Sequence, residues 1–306
     1  MDGVLILDGY KLKQRLYLNL QKFTILTSHN DWYTPAVIFD LLQNYFNKKD
    51  FSDKFLNDGI LVALNEKVLA VQDFVVFRLE PKVNLENELK ITKKSILGQV
   101  LYQKFNKIQE AYENILLYLQ KDLLNKLDED LIDYGLKSQI VDDNIFNFSK
   151  IIEIENFYEN EPIFFKEHDQ LLVKTMMLNW INKLQLTKPK LLLCELPEYG
   201  LDENQLSKFF KVLKECDNIE NVIIYTNSRL ICETFNDIFS YHLIKKKTVL
   251  GFDDYDEMLN ILLDKFNYEK TEEEIQKILI ESIFCEKEYE KNFSDIDKLF
   301  RLCVDK

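Results

Sequence analysis

Residues 191–202 read Leu191-Leu192-Leu193-Cys194-Glu195-Leu196-Pro197-Glu198-Tyr199-Gly200-Leu201-Asp202 and give the first indication of the architecture. The apolar run between Pro189 and Pro197 is typical of a strand that is buried on both faces of a parallel sheet. The strand ends in the carboxylate of Glu195, and Asp202 is suited to cap a following helix. The segment therefore predicts a strand, a turn and a helix within an α/β protein.

The chain on either side of this segment repeats the alternation of apolar strands and amphipathic helices. Residues 23–27 predict a strand, and a helix with apolar residues at helical spacing follows from Pro35. Residues 222–225 and 241–244 predict two further strands, and residues 206–213 predict a helix. This order predicts an α/β layer built on a parallel sheet.

Residues 191–202 resemble the Walker B and D-loop segment of ABC ATPases. That family has four apolar residues, Asp, Glu, Pro, two variable residues and Gly-Leu-Asp, and the match needs no gap. The family's metal-holding Asp corresponds to Glu195 and its catalytic Glu to Leu196, while Asp202 ends the Gly-Leu-Asp. The resemblance implies an ABC-ATPase-like (P-loop-type) core whose nucleotide motifs are degenerate.

Downstream spacing agrees with the same family. ABC ATPases continue with a strand that ends in Thr-His, and an Asp lies eleven residues after that Thr. Here the strand is followed by Thr226 and Asn227, so Asn227 stands at the switch His, and Asp237 lies eleven residues after Thr226. Glu195, Leu196, Asp202, Asn227 and Asp237 are therefore interpreted as relics of the nucleotide motifs, with Glu195 and Asp202 in structural roles.

The phosphate-binding and signature motifs are absent from the sequence. A P-loop needs glycines whose amides wrap the phosphates and a Gly-Lys pair that reaches them. No Gly-Lys pair occurs among the seven glycines, and the loop at 28–34 contains neither glycine nor lysine but does contain Asp31. The ABC signature is missing near Leu171. Because most parts of a phosphoryl-transfer site are lost together, we expect a protein that is not an enzyme and does not bind ATP.

The order of elements over roughly the first 250 residues resembles the accessory adaptation protein of type II-A CRISPR systems. That family has an ABC-like core, a degenerate phosphate loop and a long helical insertion. Here an apolar segment at 69–79, Glu80-Pro81, and long helices at 92–137 occur in the family's order, and residues 252–306 suggest a longer variant. The resemblance implies a homotetrameric ring whose basic channel encircles double-stranded DNA. It also implies cooperation with the CRISPR integrase and effector nuclease during spacer acquisition.

Three parts are predicted along the 306 residues. An α/β head comprises residues 1–85 and 140–251. Residues 86–139 form an inserted subdomain of long helices, and residues 252–306 form an acidic helical C-terminal extension. Ser95 is suited to begin the inserted helices and Gly135 to end them. The extension contains sixteen acidic and eight basic residues, so it carries most of the net charge of −13.

A lysine-rich segment without acids lies at the start of the insertion, although the whole chain is acidic. Its lysines are the predicted DNA contacts: Lys90, Lys93, Lys94, Lys104 and Lys107. Lysines that contact phosphates give sequence-independent binding that weakens with salt. A solvated helix face and its leading loop would explain the same pattern without DNA. A second basic cluster at 245–247 is better explained as a strand end or turn.

Metal binding is indicated only by the family resemblance, because the short forms of that family bind calcium. Calcium needs six to eight oxygen ligands, and the candidate carboxylates are those of Asp128, Glu129, Asp130, Asp133, Asp142 and Asp143. The spacing of an EF-hand is absent. The five cysteines are widely spaced and distant from the three histidines, so we expect reduced thiols and no zinc site.

Two other functions agree with the same sequence. One is a divergent P-loop ATPase of DNA maintenance, which the missing Gly-Lys pair disfavours. The other is a protein–protein scaffold that uses its acidic extension for docking and does not bind DNA. No apolar run approaches the roughly twenty residues that cross a bilayer, and the N-terminus lacks a basic region before its short apolar stretch. We therefore expect a cytoplasmic protein without a membrane partner.

Overall fold

A computed structural model describes most of the chain. The described residues are 2–9, 12, 14–28, 31–47, 60–84, 95–111, 116–140, 152–156, 169–245, 248–252, 255–256, 259–260, 263 and 271–284. Only the backbone is described at residues 47, 102, 105–111, 116–121, 140, 152–156, 245 and 248. The chain divides into two compact units, one formed by residues 1–81 and 186–306 and the other by residues 82–185.

The first unit contains the predicted parallel sheet. Its six strands lie in the order β12-β11-β3-β10-β9-β6. They are β3 (Phe23–Ser28), β6 (Val75–Leu79), β9 (Lys190–Glu195), β10 (Asn221–Tyr225), β11 (Tyr241–Lys245) and β12 (Thr248–Leu250). All neighbours are parallel except β12, which pairs antiparallel with β11. The burial of β9 and β10 explains why their central residues, 191–194 and 222–224, are all apolar.

An antiparallel sheet in the same unit has the strand order β2-β1-β4-β5. Its strands are β1 (Gly3–Asp8), β2 (Leu16–Leu20), β4 (Leu61–Leu64) and β5 (Lys67–Val68). Asn65 and Glu66 join β4 to β5 with φ angles of 49° and 66°, as a two-residue hairpin turn requires. The side chain of Asn65 also accepts a hydrogen bond from the Val4 amide at 2.8 Å.

The α-helices of this unit whose bounds lie in its described residues are α1 (Tyr33–Asn47), α5 (Glu203–Lys214) and α6 (Glu272–Ser282). Short 3-10 helices occupy Arg229–Glu233 and Ile238–Ser240. The buried face of α1 packs with both sheets in one hydrophobic core, which includes Leu7, Leu18, Ile38, Leu42 and Leu193. Because α1 directly follows β3, this core fixes the position at which the helix begins.

In its described residues, the second unit is helical and also contains a pair of antiparallel strands. Its helices are α2 (Ile96–Ala111), α3 (Leu116–Leu131) and α4 (Gln170–Lys183), and its strands are β7 (Leu136–Ile140) and β8 (Ile152–Asn156). Ser95 accepts a hydrogen bond from the Gly98 amide at 3.1 Å, which confirms its predicted capping role. Gly135 ends the 3-10 helix Ile132–Tyr134 with a φ of 69°, which confirms the predicted end of the helical stretch.

These units differ from the predicted division in their boundaries. The sequence places the insertion at 86–139, whereas the second compact unit extends from 82 to 185. The difference arises because β7 pairs with β8 and α2 contacts α4, so the hairpin and α4 belong with the inserted helices. In the described parts of the chain, no helix combines the length and the apolar character needed to cross a bilayer.

Candidate functional site

Three of the relic positions, Glu195, Leu196 and Asn227, lie at one edge of the parallel sheet. Strand β10 lies between β3 and β9, with Val222 beside Phe23 and Ile224 beside Cys194. The carboxyl ends of all three strands therefore lie at the same edge, where ligands of open α/β sheets bind. The residues that follow these strands form the candidate site.

Glu195, at the end of β9, is held by an arginine from the neighbouring strand β6. Its Oε2 atom accepts hydrogen bonds from Nε of Arg78 at 3.0 Å and from Nη2 at 2.5 Å. The two side chains are only 15% and 13% exposed. Glu195, which stands at the metal-holding position of the family, is thus engaged by a guanidinium.

Arg78 contacts a second carboxylate at the same time. Its Nη1 donates to Oδ1 of Asp40 at 2.7 Å and to Oε1 of Gln43 at 3.1 Å, both on α1. The guanidinium carbon lies 5.9 Å from the ring centre of Phe39, which adds a cation–π contact. Burial acts to lower the pKa of Arg78, but the hydrogen bonds to Asp40 and Glu195 outweigh it and raise the pKa above its ordinary value. The arginine therefore stays charged.

Leu196 occupies the position of the catalytic Glu and has no group that could orient a water molecule. Its φ of 42° is unusual for a residue other than glycine and costs on the order of 1 kcal/mol. The backbone is held there because the Leu196 amide donates to the carbonyl of Tyr225 at 2.8 Å. The side chain packs partly against the hydrophobic core.

Glu198 connects the turn after β9 to the end of β10. Its Oε2 accepts from the hydroxyl of Thr226 and its Oε1 from the backbone amide of Asn227, both at 2.9 Å. The hydroxyl of Thr226 accepts in turn from the Ser228 amide at 3.1 Å. Glu198 thereby fixes the segment in which the family carries its switch His.

Asn227 extends this network to the end of β3. Its Oδ1 accepts from the hydroxyl of Thr27 and from the amide of Ser28, both at 3.3 Å. The Ser28 hydroxyl also lies 3.0 Å from the hydroxyl of Tyr225. One amide side chain thus joins two adjacent loops, a role that needs no proton transfer.

The start of α1 is capped by the chain's own carboxylate. Asp31 accepts from the Thr34 amide at 3.0 Å and from the Thr34 hydroxyl at 2.7 Å. This is the helix end at which a P-loop presents its amides to phosphate, and a negative side chain is favourable there. Residues 29 and 30 of this loop lie outside the described part.

Asp202 and Asp237 have the local roles of helix caps. The Asp202 side chain accepts from the Gln205 amide at 2.8 Å, and the Gln205 side chain accepts from the Asp202 amide at 3.0 Å, which forms a capping box at the start of α5. Asp237 accepts from the Phe239 amide at 3.1 Å and begins a 3-10 helix.

An ABC-ATPase-like core implies a nucleotide and a divalent metal ion at this edge, and the described side chains do not fit them. The Glu195 carboxylate is engaged by Arg78, and Leu196 offers no oxygen. Asp31 places negative charge where a phosphate would bind. Within the described loops, these residues provide neither a phosphate cradle nor an open carboxylate ligand.

The predicted DNA contacts lie in the second unit or outside the described residues. Lys90, Lys93 and Lys94 lie outside them, and only the backbone of Lys107 is described. Lys104 donates to Asp130 at 2.5 Å, and Lys183 donates to the other oxygen of Asp130 at 2.7 Å.

Some of the candidate calcium ligands also lie outside the described residues, and others contact groups of the chain itself. Asp142 and Asp143 lie outside the described residues. Asp128 accepts from both the amide and the hydroxyl of Ser138 at 2.6 Å, while Asp130 is paired with lysines. Burial acts to raise the pKa of Asp130, and its two lysine partners lower it overall. Among the described residues, no group of His, Cys, Asp and Glu is arranged to hold a metal ion.

Three cysteines lie in the described parts of the chain, and they are Cys194, Cys216 and Cys232. None of these three forms a disulfide. Burial raises the pKa of Cys216 to about 11, so its thiol stays protonated. A reactive or metal-binding thiolate is therefore not indicated at this position.

Two members of the site are missing from the sequence-based prediction, namely Arg78 and Glu198. Arg78 gives a weak signal, as a single charge in the apolar strand Val75–Leu79. Glu198 lies at a variable position of the D-loop pattern. The contacts of both residues appear only once the strands are placed side by side.

Comparisons with known proteins show the fold. No protein-family profile matches the chain. No curated protein matches it either. The solved structure of Stu0660 of Streptococcus thermophilus is 12% identical, with a TM-score of 0.62 over 92% of this chain and 84% of that chain.

Other similar structures have lower scores. An SMC head bound to the C-winged helix domain of ScpA is 11% identical, with a TM-score of 0.49 over 84% of this chain and 99% of that chain. The protein cbiO1 of Clostridium perfringens, part of the ABC transporter complex cbiONQ, is 15% identical, with a TM-score of 0.41 over 91% and 99% of the two chains. The predicted fold class is confirmed: the chain has an ABC-ATPase-like α/β core.

Proposed function

We propose that this protein is a non-enzymatic protein that binds double-stranded DNA, and its ends in particular, without sequence preference. The observation that carries the non-enzymatic part is the engagement of the nucleotide edge by the chain's own side chains. Arg78 is paired with Glu195, and Asp31 caps α1. An ABC-ATPase-like core with this edge retains its shape but lacks the groups that phosphoryl transfer requires.

The DNA-binding part of the proposal is supported by the order of elements and by the distribution of charge. The order resembles that of the type II-A CRISPR accessory family, and an ABC-ATPase-like fold is compatible with a DNA-associated function. We accordingly propose a homotetrameric ring that acts with the CRISPR integrase and effector nuclease in spacer acquisition. In such a ring the lysines of the insertion line the channel, and the acidic extension lies outside.

Lys104 contributes less to DNA binding than the sequence suggests. It shares the single carboxylate of Asp130 with Lys183, so this cluster of three side chains keeps one net positive charge. Lys90, Lys93, Lys94 and Lys107 are accordingly the main proposed contacts. ATP is not part of the proposal, and calcium binding stays a prediction.

The test is a mobility-shift titration at two salt concentrations with linear duplex and covalently closed circular DNA of equal length. The mass of the free protein is measured by light scattering after size exclusion. We expect the linear duplex to shift at low salt, the closed circle to remain free, and the protein to elute as a tetramer. Raising the salt from 50 to 200 mM should weaken binding by roughly a thousandfold or more if six or more phosphates are contacted.

Equal binding of both DNA forms would contradict the end-binding ring, and absence of binding to either form at low salt would contradict DNA binding altogether. The second result would favour a protein–protein scaffold. Exposed aromatic side chains at the same sheet edge support that alternative, since Trp32, Tyr33 and Tyr199 are 72%, 48% and 58% exposed. Exposed Trp and Tyr are typical anchors of protein interfaces.

A further inference from the structure

We propose that the guanidinium of Arg78 is a built-in cation that replaces the divalent metal ion of an ABC-ATPase-like core. The inference rests on the non-enzymatic half of the proposed function and is independent of DNA binding. It concerns the carboxylate at the end of β9 together with the surface of α1 that faces it.

The contacts of Arg78 resemble those of a metal ion in the kind of atom that they involve. Oxygens from three side chains converge on one positive group, and these are Glu195, Asp40 and Gln43. Carboxylate and amide oxygens are also the ligands of Mg²⁺ and Ca²⁺. Because the guanidinium has several N–H groups in a fixed plane, it can hold two carboxylates in defined directions at once.

The local sequence places Arg78 where it can reach both carboxylates. In the parallel pairing of β6 with β9, Arg78 lies beside Leu193, two residues before Glu195. Its side chain passes the ring of Phe39, which is fully buried on α1. Asp40 and Gln43 lie one helical turn apart, so both present an oxygen to the same nitrogen.

The charge balance explains why a metal ion is not needed. Without the arginine, the carboxylates of Glu195 and Asp40 would face one position with no positive partner. Removing one member of a largely buried ion pair is strongly destabilising, because it leaves charge uncompensated. The arginine therefore keeps β6, β9 and α1 together in the absence of metal and nucleotide.

The test compares the melting temperature of the full chain in MgCl₂ or MnCl₂ with that in NaCl of equal ionic strength. The informative variant is Arg78→Met, which keeps an unbranched apolar side chain but removes the charged guanidinium. The matched control is Arg78→Met/Glu195→Gln, which has the same arginine change but leaves only the half-exposed carboxylate of Asp40 without its partner. Mg²⁺ and Mn²⁺ are used so that any calcium site elsewhere does not dominate the response.

We expect Arg78→Met to melt about 5–10 °C below the wild type in NaCl and to recover several degrees in millimolar Mn²⁺ or Mg²⁺. The wild type and the double variant should respond equally to divalent ions and NaCl. A variant that gains nothing from divalent ions, or a double variant that gains as much as the single one, would overturn the inference. If Arg78→Met is insoluble, its refolding yield with and without Mn²⁺ is measured in place of the melting temperature. A higher yield with Mn²⁺ supports the inference, and an unchanged yield overturns it.

A further arm separates this inference from the proposed function. Wild-type protein is melted with Mg-ATP and with MgCl₂ alone. A saturable stabilisation by Mg-ATP would contradict both the built-in cation and the non-enzymatic proposal. If Mg-ATP has no effect and Arg78→Met does not respond to metal, only the inference about Arg78 fails.

Discussion

Single polar side chains at the sheet edge each connect the loop on which they lie to the end of a neighbouring strand. Glu198 accepts hydrogen bonds from Thr226 and Asn227, and Asn227 accepts from Thr27 and Ser28. Such bonds contribute about 1 kcal/mol each, and more when one partner is charged. The network gives the loops a fixed arrangement without a bound ligand.

His242 is the side chain for which pH makes the clearest prediction. It is buried on β11, its Nε2 accepts from the Asn19 amide of β2 at 3.0 Å, and its Nδ1 lies 3.3 Å from the Ser240 carbonyl. The ring is therefore neutral, with the proton on Nδ1. Burial lowers the pKa of His242 to about 4.

Stability should fall as the pH drops from about 6.5 towards 4, since in that window the unfolded chain binds a proton that the folded chain excludes. Between pH 7 and 5 this amounts to about 2 kcal/mol for the one histidine. The measurement is urea unfolding of the wild type and of His242→Gln across this pH range. Both proteins have the same carboxylates, so the effect of carboxylate titration cancels in the difference between their free energies of unfolding. We expect the stability advantage of the wild type to shrink by that amount; an advantage independent of pH would contradict the prediction.

The residues of the site could be predicted from the sequence only where their role is local. Asp202 is recognisable as a helix cap because its partner, Gln205, lies three residues away. The partner of Glu195 lies 117 residues away in the sequence, and no local pattern specifies it. Arg78 becomes meaningful only when β6 and β9 are known to be neighbours.

At the level of elements, burial and periodicity made the parallel strands easy to predict. Strands β3, β9 and β10 and helix α1 lie where their apolar patterns place them. The hairpin of β7 and β8 is absent from the prediction, although Ile152 and Ile154 alternate with glutamates in β8. A short alternating segment beside long helices gives too weak a signal to define a unit boundary.

Helix α5 offers a test of a single element. Its capping box satisfies two backbone amides, those of Gln205 and Asp202, at 2.8 and 3.0 Å. Asp202→Ala should lower the free energy of unfolding by about 1 kcal/mol, because it leaves the first turn without an acceptor. Asp202→Ser is the matched control, since its hydroxyl keeps the acceptor and should retain most of the stability. The midpoint of urea unfolding measures both, and equal losses would contradict the capping role.

At the scale of the whole molecule, charge is distributed unevenly, and this distribution makes DNA binding testable. The net charge is −13, yet residues 89–109 contain five lysines and no acid. An acidic protein can hold DNA only if its lysines are concentrated on one surface. Neutralising these lysines should therefore affect DNA binding far more than neutralising lysines elsewhere.

The decisive comparison pairs two double variants of equal charge. Lys93→Gln/Lys94→Gln removes two proposed contacts, whereas Lys208→Gln/Lys211→Gln removes two exposed lysines of α5. If both residues of the first pair contact phosphates, the affinity for linear duplex should fall at least roughly tenfold, and the slope of log K against log salt should decrease in magnitude by about 2. The second pair should leave the slope unchanged. Equal effects of the two pairs would mean that the affinity for DNA depends only on the total charge of the protein. The lysine-rich segment would then not be a binding surface.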